Sequence, residues 1–202
     1  MFKTDVLDHG YVDLLQFMTT EEDIVQILSI CKGKNFTYRD TDRIIDYVLK
    51  HDHSSVFEHI VFRFKVRCPI FVARQWQRHR MGSYTEASLR VNRDELLFYI
   101  PDSIDDEAKE IYETAIKNAY DAYRKLLTMK VPAERARGVL PFATYTTFYW
   151  TVNMRSLMNF LKLRLDKSAQ KEIREYAQTI LNMIYPFFRR ILAEHADKVR
   201  EQ

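Results

Sequence analysis

The chain has 202 residues, of which 47% are hydrophobic and 13% aromatic, a composition that predicts one folded domain over residues 1–202 and excludes an intrinsically disordered chain. Its formal net charge of +3 fits an anionic ligand but does not require nucleic acid. Two cysteines are too few for a disulfide scaffold, and the sequence has neither a signal-peptide pattern nor an apolar run of the roughly 20 residues that span a bilayer. These features predict a soluble, cytoplasmic protein with no membrane partner.

The N-terminal part of the chain predicts one strand and two helices. Residues 11–17 are typical of a short strand. Acidic side chains over residues 20–23 interact favourably with the positive end of a helix dipole and indicate a helix start. Residues 39–49 place apolar side chains on one helical face, so we expect an amphipathic helix there.

The next elements lead into the most basic part of the chain. Residues 60–66 alternate apolar and charged side chains, which predicts a half-buried strand that Pro69 ends. A helix is expected to begin near Ile70 and to carry Arg74 and Arg78 one turn apart.

The C-terminal half is predicted to be mainly helical. We expect helices over 103–129, 132–137, 153–163 and 166–196, and one strand over 142–152. The apolar face of the first helix is expected to consist of Ala115, Ala119, Ala122 and Leu126. Because strands follow helices without regular βαβ alternation, the predicted fold class is α/β of the α+β type, an antiparallel sheet flanked by long helices.

Residues 78–90, RHRMGSYTEASLR, carry the densest functional signal. Three adjacent basic residues cannot share one face of a helix or strand, so some must point inward or at a ligand. Arginine offers a planar set of donors that matches phosphate and carboxylate oxygens. Glu86, Ser88 and Arg90 alternate, and in an extended backbone they would project to one side. The pattern predicts a pocket for an anionic, hydrogen-bonding molecule such as a nucleotide.

Residues 51–59, HDHSSVFEH, combine three histidines with two acids. Their spacing is poor for zinc and no cysteine is near, so no metal site is predicted. A helix C-terminus followed by a turn explains the histidines better, because the dipole favours them there. Cys68 ends a half-buried strand and is expected to be a core residue.

Residues 153–164, NMRSLMNFLKLR, form a third polar block. Asn153 is placed to cap a helix, whereas Asn159 lies in an apolar run where a buried amide would need partners. Arg164 ends the helix, where dipole stabilisation alone could account for it. Upstream, Arg137 precedes a strand of core type, which indicates an inward role, while Arg135 is expected at the surface.

Together, R-H-R-x7-S with E-x-S-x-R, the segment His53–His59 and N-x-R-S-L-x-N-F-x-x-L-R resemble the flavin-dependent thymidylate synthases. The resemblance implies reductive methylation of dUMP to dTMP, with methylene-tetrahydrofolate as carbon donor and reduced FAD as hydride donor. NADPH would re-reduce the flavin without a Rossmann domain, since no GxGxxG is present. It also implies a homotetramer with sites shared between subunits, and no nucleic-acid partner.

The resemblance also assigns residues to the site. Those implied to contact flavin are His53, Ser55, Arg78, His79, Arg80, Glu86, Asn153, Arg155 and Asn159. Those implied to bind dUMP are Gln75, Arg78, Glu86, Ser88, Arg90, Arg137 and Arg164. Arg164 would be the catalytic residue, because a cation near the pyrimidine would stabilise negative charge on the ring as C5 becomes nucleophilic.

Four positions depart from the family pattern. Leu28, Ile30, Thr85 and Ser168 stand where the family usually has Arg, Ser, Asn and His. These departures concern the flavin and folate surroundings, which leaves open a divergent homologue that binds a pyrimidine nucleotide but transfers another group or has weak activity. A second alternative is a non-catalytic nucleotide or nucleic-acid binder that uses residues 74–90 as a basic patch.

Overall fold

A five-stranded antiparallel sheet organises the molecule, which is described by a computed structural model over residues 2–33, 36–91 and 96–200. The strand order is β1-β2-β3-β5-β4. The strands are β1 (Phe2–Val6), β2 (Gly10–Met18), β3 (Val61–Pro69), β4 (Ser83–Glu86) and β5 (Tyr145–Asn153). The predicted α+β fold with an antiparallel sheet and long helices is confirmed.

The helices lie between and after these strands. The α-helices are α1 (Glu21–Lys32), α2 (Thr41–Lys50), α3 (Ile70–Trp76), α4 (Asp106–Thr128), α5 (Ala133–Ala136), α6 (Met154–Arg164), α7 (Lys171–Ile184) and α8 (Ala193–Arg200). Short 3₁₀ helices cover Tyr38–Asp40, Ser54–His59 and Arg137–Val139. Within the described part of the chain, no helix combines the length and the apolar character that a membrane span needs.

One face of the sheet carries the hydrophobic core. In β3 the side chains of Phe62 and Phe64 are fully buried while Arg63 is exposed, which confirms the predicted half-buried strand. The central β3 pairs with β2 on one side and β5 on the other, and helices α3, α6 and α7 pack together above it. Trp76 at the end of α3 and Trp150 in β5 are both fully buried and meet edge to face. This packing fixes the end of α3. The basic segment, residues 78–90, follows it.

Two predictions for the N-terminal part of the chain are confirmed: the helix start near residues 20–23 and the amphipathic helix that follows. The capping box of α1 joins Thr20 to Asp23, whose carboxylate accepts from the Thr20 backbone amide at 2.8 Å. Helix α2 buries the apolar stripe formed by Ile44, Ile45 and Val48.

Three predicted helices differ from the structure. Helix α3 ends at Trp76, so Arg78 lies beyond it and does not share a helical face with Arg74. The expected long C-terminal helix is two helices, α7 and α8, with Pro186 in the break, because proline lacks the amide that a continuous helix needs. Helix α4 has the predicted extent, but the expected apolar face is wrong: Ala115 and Ala122 are exposed, and Tyr123 is its buried residue.

Two strands were not predicted. Edge strand β1 pairs with β2, and edge strand β4 pairs with β5 through Tyr84 opposite Trp150. The extended alternation expected from Glu86 to Arg90 ends early, because the amide of Val91 donates to the Ser88 carbonyl at 3.0 Å and closes a turn. Glu86 therefore lies on a strand, whereas Arg90 lies in a turn.

Candidate active site

The basic segment leaves α3 in a tightly held conformation. The hydroxyl of Tyr84 donates to the backbone carbonyls of His79 at 2.8 Å and of Trp76 at 3.4 Å. Burial raises the pKa of Tyr84, so the hydroxyl keeps its proton and remains a donor. A Cβ at Gly82 would lie 2.9 Å from the indole nitrogen of Trp150, so the close approach of this loop to the core requires glycine.

Of the three adjacent basic residues, His79 turns inward while Arg78 and Arg80 are exposed. The His79 ring packs edge-on against Phe160, with centroids 5.0 Å apart. Its Nε2 accepts a hydrogen bond from Nε of Arg164 at 3.0 Å. The pKa of His79 is lowered to about 4, first by burial and then by the neighbouring Arg164 cation. His79 is therefore neutral at physiological pH and carries its proton on Nδ1.

Arg164, the last residue of α6, is fixed from a second side. Its terminal nitrogen donates to the backbone carbonyl of Gln75 at 3.2 Å, and the Gln75 amide donates to Gln170 at 2.5 Å. Burial lowers the pKa of Arg164, yet an arginine keeps its charge in proteins. The arrangement holds a half-buried guanidinium by neutral partners, which leaves its positive charge available to a ligand.

Glu86 in β4 is held by two neutral donors. The side-chain amide of Gln77 donates to Oε2 at 2.9 Å, and the hydroxyl of Thr146 donates to Oε1 at 2.7 Å. Gln77 caps the C-terminal end of α3, and Thr146 is a buried residue of β5. Among the described residues, no cationic side chain forms an ion pair with Glu86.

A cavity of about 390 Å³ opens beside this carboxylate. Its polar lining consists of Arg74, Gln77, Glu86, Ser88 and Arg137. The structure therefore brings together three residues expected to bind the nucleotide: Glu86, Ser88 and Arg137. The inward role predicted for Arg137 is corrected, because its side chain is exposed at the edge of the cavity.

The remaining residues expected at the nucleotide lie elsewhere in the chain. Arg90 is exposed, with its Nε 3.6 Å from a carboxylate oxygen of Glu134. Gln75 and Arg164 face α7 and His79, and neither lines the cavity beside Glu86. The expected nucleotide residues thus form two separate groups within one chain.

A second cavity, of about 710 Å³, lies between the 3₁₀ helix Ser54–His59, α6 and α8. Arg155 and Asn159 line it together with Lys162, Arg190 and His195. Arg155 also donates to Glu58 at 2.5 Å. Burial lowers the pKa of His195, whose Nδ1 is buried without a hydrogen-bond partner. This cavity shares no lining residue with the cavity beside Glu86.

The other expected flavin residues do not line this second cavity. Glu86 lines the smaller cavity, His79 contacts Arg164, and Arg78 and Arg80 are exposed in the same segment of the chain. Asn153 caps α6, its side chain accepting from the Ser156 amide at 2.9 Å, which confirms the predicted cap. His53 and Ser55 are exposed. The expectation of a buried Asn159 is wrong: its side chain is exposed on the side of α6 that faces the cavity, away from the core.

The departures from the family pattern occupy contrasting environments. Leu28 is buried in the core at 5% exposure, whereas Ile30 is 85% exposed. Thr85 is exposed on β4, and the Ser168 hydroxyl donates to Asp166 at 2.5 Å. Cys68 is fully buried and burial raises the pKa of its thiol, which confirms the predicted core role.

Sequence reasoning missed the residues that support the site. Gln77 and Thr146 hold Glu86, and Gln170 holds Gln75. Thr146 could have been found, because it occupies a core-facing position of β5 where Phe148 and Trp150 follow in alternation. A buried hydroxyl at such a position requires a hydrogen-bond partner.

Comparison with known proteins identifies the family. A family model described as thymidylate synthase complementing protein matches residues 13–188. The chain belongs to this family. A flavin-dependent thymidylate synthase of Thermosipho africanus is 45% identical over 198 residues, covering 88% of this chain and 87% of that protein. Another, of Thermus thermophilus, is 41% identical over 196 residues, covering 89% of this chain and 73% of that protein.

Solved structures carry the same fold. A UMP/dUMP methylase, PolB, from Streptomyces cacaoi, bound with 5-Br dUMP, superposes with a TM-score of 0.83 at 26% identity, covering 93% of this chain and 95% of that one. The resemblance to flavin-dependent thymidylate synthases is therefore confirmed. The family's relatives do not favour the alternatives of a divergent transferase or a non-catalytic binder.

Proposed function

We propose that this chain catalyses the reductive methylation of dUMP to dTMP. Methylene-tetrahydrofolate is the carbon donor, and FAD reduced by NADPH is the hydride source. The observation that carries the proposal is the half-buried Arg164 guanidinium, held by His79 and the Gln75 carbonyl in a chain of this family.

The cavity beside Glu86 has the chemistry of a nucleotide site. Arg74 and Arg137 offer cationic donors for a phosphate, and Ser88 offers a hydroxyl. Glu86 offers a carboxylate acceptor, which discriminates between ligand groups that donate and groups that only accept. Arg78 and Arg90, both exposed nearby in the sequence, add positive charge that attracts the dianion.

Arg164 is proposed as the catalytic residue. Its guanidinium is already oriented before substrate binds, so little reorganisation is needed when negative charge develops on the pyrimidine ring. The neutral state of His79 matters here, because a protonated imidazole would repel the guanidinium and could not accept its hydrogen bond. The proposed reaction requires no thiolate, and Cys68 is fully buried in β3.

The 710 Å³ cavity offers cationic and amide donors for a dinucleotide cofactor, and its lining also includes the carboxylates of Asp46, Asp52 and Glu194. Arg155 and Lys162 are cations suited to a pyrophosphate, and Asn159 can both donate and accept. These residues, with His53 and Ser55 beside them, are proposed to hold FAD. When bound in its reduced form, flavin supplies the hydride, while the protein positions the reactants and excludes competing reactions.

We further infer a homo-oligomer, a tetramer by family resemblance, whose sites are shared between subunits. Within one chain Gln75 and Arg164 do not line the cavity of Glu86 and Arg137, so a second copy is proposed to complete a pocket that contains all four.

The activity is tested by tritium release from dUMP labelled at C5, with FAD, NADPH and methylene-tetrahydrofolate. Release that depends on both flavin and reductant is the expected result, and product analysis should identify dTMP. Absence of release from protein that binds dUMP would reject the proposed reaction.

Shared sites are tested by mixing two inactive variants, Arg164→Ala and Arg137→Ala. If each site takes one arginine from each of two subunits, random exchange restores about a quarter of the sites. If both arginines come from one chain, every subunit carries a defect and mixing restores nothing. Light scattering of the wild-type protein gives the oligomeric state independently.

A further inference from the structure

The carboxylate of Glu86 is held in one orientation by two residues that come from different elements. Gln77 follows α3, and Thr146 lies on β5, two positions before the Phe148 that pairs with Glu86 across the strands. Each donor takes a different carboxylate oxygen, at 2.9 Å and 2.7 Å. Such a two-point contact stops rotation of the carboxylate about its terminal bond.

Both supports are themselves immobilised. Thr146 is only 4% exposed, opposite Cys68 in the β3–β5 ladder, where a threonine has few alternative rotamers. The backbone amide of Gln77 donates to the Ala73 carbonyl at 2.9 Å, next to the fully buried Trp76. The two donors therefore present a preformed cradle, which reduces the ordering cost of binding a ligand.

Neutral donors have a specific consequence for the charge of Glu86. Among the described residues no cation pairs with this carboxylate, although Arg74 and Arg137 line the same cavity. Its negative charge is therefore not neutralised by an ion pair with any of these residues. Each carboxylate oxygen has further acceptor capacity beyond the one bond it receives, so the cradle leaves lone pairs directed at the cavity.

We propose that Gln77 and Thr146 are positioning residues that fix Glu86 to accept a hydrogen bond from a donor group of the bound pyrimidine nucleotide. This inference rests on the proposed function and adds two residues to it. Neither residue needs to touch the nucleotide. Their effect is on affinity through Glu86, and not on the chemical step at Arg164.

The test measures dUMP affinity of the purified oligomer by titration calorimetry, with kcat and KM from tritium release. Gln77→Leu and Thr146→Val should each weaken dUMP binding about fivefold to twentyfold, because each leaves one carboxylate oxygen without its donor. KM should rise in parallel, with kcat within about twofold of the wild type. Thr146→Ser keeps the hydroxyl and should restore affinity.

Two controls separate this role from a structural one. Thr147→Val alters the next residue of β5, which faces the other side of the sheet, and should leave dUMP affinity unchanged. The double variant Gln77→Leu, Thr146→Val should weaken binding no more than Glu86→Gln does, since all act through one carboxylate. Wild-type affinity in folded Gln77→Leu and Thr146→Val would overturn the inference while leaving the proposed function standing. A wild-type protein that does not bind dUMP would overturn both.

Discussion

Nε of Arg164 donates to Nε2 of His79 at 3.0 Å, so the residue expected to stabilise the reacting pyrimidine is oriented by an imidazole from the basic segment. The two residues lie 85 positions apart in the sequence. The bond joins the end of α6 to the loop after α3. It requires His79 to be neutral, which burial and the arginine charge both ensure.

Because His79 orients Arg164, we predict that replacing His79 lowers the turnover rate. His79→Leu removes the acceptor and should lower kcat about tenfold to a hundredfold, because a misoriented guanidinium stabilises the transition state poorly. His79→Gln retains an acceptor and should lose less. Tritium release at saturating dUMP measures the effect. Flavin content of each variant, read from its absorbance, must be measured alongside, since an equal loss of turnover and flavin would indicate a cofactor contact instead.

The same histidine makes stability depend on pH. Its pKa is near 6.5 in an unfolded chain and about 4 in the folded protein. Between these values the unfolded chain binds more protons, so the free energy of unfolding from this group rises with pH and is lost as pH falls from about 6.5 to about 4. Urea unfolding across this range should show a shallower slope for His79→Gln than for the wild type. His59→Gln, which changes an exposed histidine, should keep the wild-type slope.

The sequence predicted those parts of the fold that local patterns control. Alternation in β3, the helix start at residues 20–23 and the Asn153 cap all follow from residues near in sequence. The exposed surface of α4 could not be predicted, because alanine spacing marks a helical face without showing what covers it. Strand β1 was missed because an edge strand with exposed Phe2 and charged neighbours lacks a clear apolar alternation.

The motifs named candidate site residues but could not predict how these residues group within the fold. The motifs gave Glu86, Ser88 and Arg137, which the structure places around one cavity. They could not show that Gln75 and Arg164 lie outside the lining of this cavity, because that depends on how the helices pack together. Long-range hydrogen bonds, such as Thr146 to Glu86, leave no local pattern.

Arg164→Ala should lower kcat at least about a hundredfold without unfolding the protein, because the lost group is the proposed electrostatic stabiliser and is only half-buried. Arg164→Lys keeps the charge but loses the Nε donation to His79, so its kcat should lie between the wild type and the alanine variant. Tritium release measures turnover, and circular dichroism checks the fold. Near-normal turnover of Arg164→Ala would remove this residue from the mechanism.

Restoring the residues usual in the family at positions 28 and 30 should have different effects, on stability at position 28 and on flavin affinity at position 30. Ile30→Ser replaces a side chain that is 85% exposed, so stability should change within about 0.5 kcal/mol while flavin affinity rises. Leu28→Arg places an unpaired charge in the core and should cost at least about 3 kcal/mol. Flavin titration and urea unfolding measure the two effects. Met18→Ser replaces another exposed apolar side chain and serves as the control for a general effect of surface polarity. Unchanged flavin affinity in Ile30→Ser would mean that residue 30 does not approach the cofactor.

Cys68 should prove dispensable for the chemistry. The thiol is fully buried in the core, and burial raises its pKa, so the nucleophilic thiolate is scarcely populated. Cys68→Ala should lower the free energy of unfolding by about 1 kcal/mol through the small cavity that it leaves, with tritium release within about twofold of the wild type. Cys68→Ser should cost more stability, because it buries a hydroxyl in apolar surroundings, yet it should remain active. Loss of turnover in both variants while they stay folded would show that this reaction uses a cysteine nucleophile after all.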